Sequence, residues 1–249
     1  MLNQKELATE VCEIGYHKIS KSCGKVFISG ILAGLFIGLG YYGYLSLVSE
    51  ARSSLNIFYG AIVFSIGLVM IIIGGGDLFT GNCLITMGYF NKRYKAGLVI
   101  KNLILVYLGN FIGALLLVTL IYFSGIYEKN YMILEIYVEA KTNLTFIEAL
   151  FRGILCNILV GMGVYLSYAS QSIAGKIIAA MLPVILFVVV GYEHSVANMF
   201  LLFMGKAGGV DVSLINIFVG NLLPVTIGNL IGGGLLIPGA YYLIFLKKA

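Results

Sequence analysis

The chain has 249 residues, of which 60% are hydrophobic and 11% charged, and its mean hydropathy is +0.99. A soluble domain of this size needs far more charge to cover its surface, so the composition requires a polytopic membrane protein. The net charge of +5 carries no nucleic-acid signal, because the basic residues are spread over the ends of apolar runs.

Residues 1–25 place Leu7, Val11, Ile14 and Lys18 at helical spacing among Lys and Glu, which predicts a helix lying in the membrane interface. A single transmembrane domain is expected over 26–249. Its first span runs from about Val26 to Val48, too late and too long for the apolar part of a cleavable signal. After a polar break at 49–56, the second span starts near Ile57, is interrupted at Gly74-Gly75-Gly76 and resumes to about Phe90. The third covers about Gly97 to Phe123, and Ser124 to Thr142 forms a longer amphiphilic connection. The fourth runs from about Leu144 to Tyr168. The fifth starts near Ile177, is interrupted after Gly191 and resumes from Ser195 to Met204; the sixth runs from about Leu214 to Phe245. Cys12, Cys23, Cys83 and Cys156 have no metal-site or redox spacing and read as reduced thiols.

Six spans put the N-terminus, the 91–95 loop, the 171–176 turn and the C-terminus on one side. That side collects Lys5, Lys18, Lys21, Lys25, Lys92, Arg93, Lys95, Lys101, Lys176, Lys247 and Lys248, whereas most acids, Glu50 among them, fall on the other. Both termini are therefore expected to be cytoplasmic.

Two interruptions carry polar groups into apolar runs: Gly76-Asp77-Leu78-Phe79-Thr80-Gly81-Asn82 and Gly191-Tyr192-Glu193-His194-Ser195-Val196-Ala197-Asn198. A carboxylate at the centre of a membrane helix costs roughly 2.5–3.5 kcal/mol, so it faces a cavity or a partner. Asp77 and Asn82 have the same spacing as Glu193 and Asn198. Two further correspondences accompany them. Gly30-Ile31-Leu32 with Gly38, Gly40 and Tyr42 matches Gly153-Ile154-Leu155 with Gly161, Gly163 and Tyr165, and Gly109-Asn110-Phe111-Ile112-Gly113 matches Gly228-Asn229-Leu230-Ile231-Gly232. Each half, about 26–123 and 143–245, holds three spans, so the second is inserted upside down relative to the first. The expected fold is all-α, an inverted 3+3 repeat whose interrupted second and fifth helices meet near the midplane around a permeation path.

His194 is the only histidine within the spans. A lone core histidine is often merely hydrogen-bonded, but the helix break and the neighbouring Glu193 favour an imidazole that replaces water around an anion. Thr80 is its candidate partner, or else the cap of the resumed half-helix. Asp77, Asn82, Glu193 and Asn198 read as braces of the broken helices, since carboxylates in the path would repel anions. Phe64, Leu68, Leu78, Phe79 and Phe187 are core packing or hydrophobic constrictions. An ion-coupled transporter would instead use Asp77 and Glu193 as coupling sites. Gly74-Gly75-Gly76-Asp77 also fits half of an intramembrane aspartyl protease signature, but the other aspartate, Asp211, lies in a connecting loop. An enzyme is not expected.

Asp77-Leu78-Phe79-Thr80-Gly81-Asn82, Leu155-Cys156-Asn157, Glu193-His194-Ser195-Val196-Ala197-Asn198-Met199 and Asn221-Leu222-Leu223-Pro224-Val225-Thr226-Ile227-Gly228-Asn229 resemble the formate–nitrite transporter family, over nearly the whole chain. The resemblance implies an aquaporin-like protomer in a homopentamer, with one pore per protomer, in a prokaryotic cell membrane. It implies passage of formate, nitrite or hydrosulfide and needs no cofactor. It would make Thr80 and His194 the central polar pair and set Leu68 and Leu78 at the cytoplasmic constriction. Phe64 and Phe187 would form the outer constriction, Asn157 and Asn229 would be pore amides, and Lys141 and Lys18 would attract anions. Gly81-Asn82-Cys83 departs from formate-type members, which carry small hydroxyl residues there, and resembles the hydrosulfide-conducting branch.

Overall fold

A computed structural model describes residues 2–49 and 52–247; Glu50 and Lys248 lie outside the described residues. All regular elements in it are helical, and six helices are long and apolar enough to cross a membrane. An N-terminal helix, α1 (Gln4–Ser20), is closed at its start by a reciprocal pair: Asn3 accepts from the Glu6 amide and Glu6 accepts from the Asn3 amide. It buries Leu7, Ala8, Val11 and Cys12, packing on the short helices of the first break and on the C-terminal end of the sixth span.

The spans follow as α2 (Cys23–Val48), α3 (Ser54–Gly74), then the short pieces α4 (Phe79–Asn82) and α5 (Thr86–Phe90), and α6 (Ala96–Ser124). The connection after α6 is more ordered than its composition suggests: a 3-10 turn at Ile126–Asn130 leads into α7 (Tyr131–Thr142). The second set is α8 (Phe146–Ala169), α9 (Ile173–Val190), α10 (Ser195–Ala207) and a sixth span covering Asn216–Leu246. That last span is α-helical at α11 (Leu223–Leu230) and α12 (Ile237–Tyr241) and widens to π-helix before, between and after them. Pro224 and Pro238 follow the first two widened stretches. A proline has no amide to donate and crowds the carbonyl four residues back, and the wider winding relieves both.

Both interruptions fall where the repeat places them. Helix α3 ends at Gly75 with φ 90°, and α9 ends at Gly191 with φ 79°. In each case a glycine takes the left-handed backbone that lets the chain leave the helix axis. The glycine motifs of the repeat prove to be crossing seams: α2 packs on α6, and α8 packs on the sixth span. A Cβ on Gly113 would collide with the Ile31 carbonyl, and one on Gly232 would collide with the equivalent Ile154 carbonyl. In lipid, where apolar burial gives no preference for helix over tail, such close backbone approach is what holds spans together. The two halves meet along α3 and α9.

Candidate functional site

Each break is held by a closed ring of side chains. On the first, the buried Asp77 accepts from Lys18 Nζ on one oxygen and from Lys21 Nζ on the other, both at 2.8 Å. Asn82 accepts from Lys18 Nζ at 2.5 Å and donates to Asn102 at 2.9 Å, and the Asn102 amide donates to the Lys18 carbonyl at 3.3 Å. On the second, Lys141 Nζ donates to both Glu193 oxygens at 2.8 and 3.0 Å. Asn198 donates to Glu193 at 2.6 Å and to Asn221 at 2.8 Å, and Asn221 donates to the Lys141 carbonyl at 3.1 Å. The same ring is thus built twice, and the pairing of Lys18 with Lys141 extends the repeat to α1 and α7. Burial works against the Lys18 charge, but Tyr168 and Asp77 outweigh it and hold the ammonium above its usual pKa.

Between the rings, His194 is the N-cap of α10, its Nδ1 accepting from the Ala197 amide at 3.1 Å. With Nδ1 an acceptor, the ring proton sits on Nε2, 2.9 Å from Thr80 Oγ1. The two residues brought together across the halves are therefore donor imidazole and acceptor hydroxyl. Phe187 stacks on the imidazole, ring centroids 5.8 Å apart, and meets Phe64 edge-on at 5.7 Å.

Three cavities share walls in sequence. One of about 60 Å³ opens at the α7 side and includes Lys141, Asn198, His194, Tyr41, Tyr44 and Tyr137 in its lining. A narrow middle chamber of about 10 Å³, room for a single water, is lined by Ile37, Phe64, Leu68, Leu78, Val160, Val184, Phe187 and His194. A third, about 360 Å³, opens at the α1 side and includes Lys18, Lys21, Asp77, Asn82 and Lys176. Phe64, Phe187 and His194 are common to the first two cavities, and Leu68 and Leu78 to the last two. Among the described residues His194 is the only polar side chain of the middle chamber.

Other candidates sit elsewhere. Phe79 packs edge-on against Tyr107 at 4.9 Å and lines a separate apolar cleft on the flank of the bundle, away from the three chambers. Thr80 lines none of the three and reaches the path through His194. Asn229 is spent on backbone, accepting from the Ser195 amide at 2.9 Å and donating to the Gly153 and Glu193 carbonyls at 2.8 and 3.0 Å. Asn157 donates to the Asn229 and Thr80 carbonyls at 2.7 and 3.3 Å, tying one broken loop to the other half. Lys18 and Lys141 face their vestibules with carboxylates already bound. Asp77, with a lysine on each oxygen, is no member of a proton-sharing aspartate pair. Sequence reading does not single out Lys21, Asn102, Tyr41 or Lys176. For Asn102 the signal exists, since an amide inside an apolar run needs partners; for Lys21 and Lys176 it is only their place at the end of a run, and for Tyr41 a hydroxyl inside one.

The formate/nitrite transporter family model matches residues 5–243. The formate channel FocA of Escherichia coli (strain K12) is 36% identical over 262 residues, covering 95% of this chain and 92% of that protein. A probable formate transporter of Methanothermobacter thermautotrophicus is 34% identical over 253 residues, with 90% of each covered. Among solved structures, a pentameric formate channel with formate bound superposes with a TM-score of 0.81 at 30% identity, covering 90% of this chain and 98% of the other. An ion channel of the same family gives 0.86 at 27% identity, covering 96% and 97%. These relatives are channels and transporters, not enzymes.

Proposed function

The chain belongs to the formate/nitrite transporter family, and on that premise we propose that it passes small monovalent anions (hydrosulfide, formate and nitrite) through the three aligned chambers of each protomer. The carrying observation is the middle chamber: apolar side chains pinch it at both ends, and the His194 imidazole is its one polar side chain among the described residues. Lys141 and Lys18 concentrate the anion at the two mouths. The Phe64–Phe187 and Leu68–Leu78 pairs strip its water, and the His194 Nε2–H, held toward the path by Thr80, replaces a lost hydrogen bond when it turns from the Thr80 hydroxyl to the anion. Hydrosulfide is placed first on the strength of Gly81-Asn82-Cys83. We also assign a homopentamer, as the pentameric neighbour suggests, and both termini to the cytoplasmic side of a prokaryotic cell membrane. The N-terminal helix lies at that surface, and residues 26–249 form one channel domain.

A second reading is favoured by the absence of any charged side chain lining the middle chamber among the described residues. A bare ion there is costly, so a proton taken up at the vestibule would let the neutral acid cross, as in proton-coupled formate transport. Current across a planar bilayer alongside tracer uptake in proteoliposomes separates the two: current matching uptake supports the ion, and uptake without current supports the acid. A protein that moves none of hydrosulfide, formate or nitrite faster than empty liposomes would refute both.

A further inference from the structure

The two vestibules are built by the same repeat but differ in several lining residues, among them a hydroxyl that ring packing alone does not require. In the correspondence that aligns Gly40 with Gly163 and Tyr42 with Tyr165, Tyr41 of the α7-side vestibule pairs with Val164, which lines the α1-side vestibule. At this paired position a phenol therefore stands where an aliphatic side chain suffices in the other half, although Tyr168 brings a phenol to the α1-side vestibule from elsewhere on α8. The Tyr41 ring is buried and packs edge-on against Phe64 at 5.4 Å, on the vestibule side of the Phe64–Phe187 pair. Its hydroxyl has no hydrogen-bond partner among the described residues. The neighbouring phenols differ in this respect, since the Tyr44 and Tyr137 hydroxyls are bound to each other at 2.5 Å. Tyr41 thus keeps an uncommitted O–H at the place where an ion leaves water for the apolar ring, in the same vestibule as the Lys141 ammonium.

We propose that the Tyr41 hydroxyl is a specificity-determining donor that binds a permeating anion between Lys141 and the Phe64–Phe187 pair, and that it favours oxygen anions such as formate and nitrite over hydrosulfide. The preference follows from acceptor chemistry: a carboxylate oxygen accepts an O–H bond strongly, whereas sulfur is a weak acceptor. This inference rests on the anion-conducting reading above.

The test is Tyr41→Phe, which keeps the ring and its packing and removes only the donor. In proteoliposomes with formate or hydrosulfide at low concentration, formate permeability falls about tenfold and hydrosulfide permeability about twofold, the size expected for one hydrogen bond to a charged acceptor. The fall is the same in both directions, as passive permeation requires. Tyr165→Phe, whose buried hydroxyl also lacks a partner but lines none of the three chambers, leaves both fluxes unchanged. Equal loss of formate and hydrosulfide flux, or no loss of either, overturns the assignment of Tyr41 while the conducting reading stands. Absence of anion flux through the unaltered protein sinks both.

Discussion

Asn110 and Asn229, in opposite halves of the chain, make the same three hydrogen bonds at nearly the same lengths. Each carbonyl oxygen accepts from the first amides of the resumed helix, Phe79 at 2.8 Å and Ser195 at 2.9 Å. Each amide group donates to the carbonyl of a seam glycine, Gly30 or Gly153, at 2.8 Å, and to that of the buried acid, Asp77 or Glu193, at 3.0 Å. One side chain therefore stitches the crossing seam to the broken loop in each half. Such a stitch is needed because an unwound backbone in hydrocarbon has no water to satisfy it.

Asn110→Ala and Asn229→Ala should destabilise the protein to similar extents. Each orphans a buried amide and two carbonyls, at about 1–3 kcal/mol per unsatisfied group. Melting in detergent, followed by a thiol-reactive dye, reads this directly. Cys12, Cys83 and Cys156 are buried, and burial pushes the Cys12 thiol up to about 11, so it reacts at neutral pH only once unfolded. Exposed Cys23 is first replaced by serine to remove background. A melting curve unchanged in either variant would contradict the bracing role.

Lys141→Met leaves Glu193 buried and unpaired, a change that costs about 3–5 kcal/mol in comparable settings. Lys141→Met combined with Glu193→Gln removes both charges and should recover much of that stability, so the double variant melts above the single one. The reverse order would mean that the ion pair does not hold the second break.

Thr80→Val keeps the shape of the side chain and deletes the acceptor opposite His194 Nε2. The imidazole keeps its Nδ1 bond to Ala197, so the fold is retained while the ring loses one restraint, and anion flux should fall by roughly three- to tenfold. Stopped-flow uptake of formate and hydrosulfide measures it. Flux at the unaltered rate would separate Thr80 from conduction.

The α1-side vestibule is lined by Lys18, Lys21 and Lys176 against the single Asp77, whereas Lys141 of the other vestibule is matched by Glu193. Lys176 has no ion-pair or hydrogen-bond partner for its ammonium among the described residues. Lys176→Ala should lower anion flux about threefold at an ionic strength of roughly 0.01 M and hardly at all near 1 M, where charges are screened beyond about 3 Å. An effect of equal size at both salt concentrations would point to lost packing instead of lost charge.

The spans, the two breaks and the inverted repeat are legible in the chain itself. Long apolar runs have no alternative to membrane helices, and residues such as Asp77 and Glu193 inside them are too costly to be accidental. The pairing of Asp77 with Asn82, and of Glu193 with Asn198, is likewise written in spacing. What only the tertiary structure decided is direction and partnership. A helix apolar on every side has no face that announces the path, so nothing local separates Phe187, on the chambers, from Phe79, on the flank. Partners such as Lys18 and Asp77, or Thr80 and His194, lie far apart in the chain. Their meeting is set by how the seams bring the spans together, because in lipid each buried polar group must find its partner inside the protein.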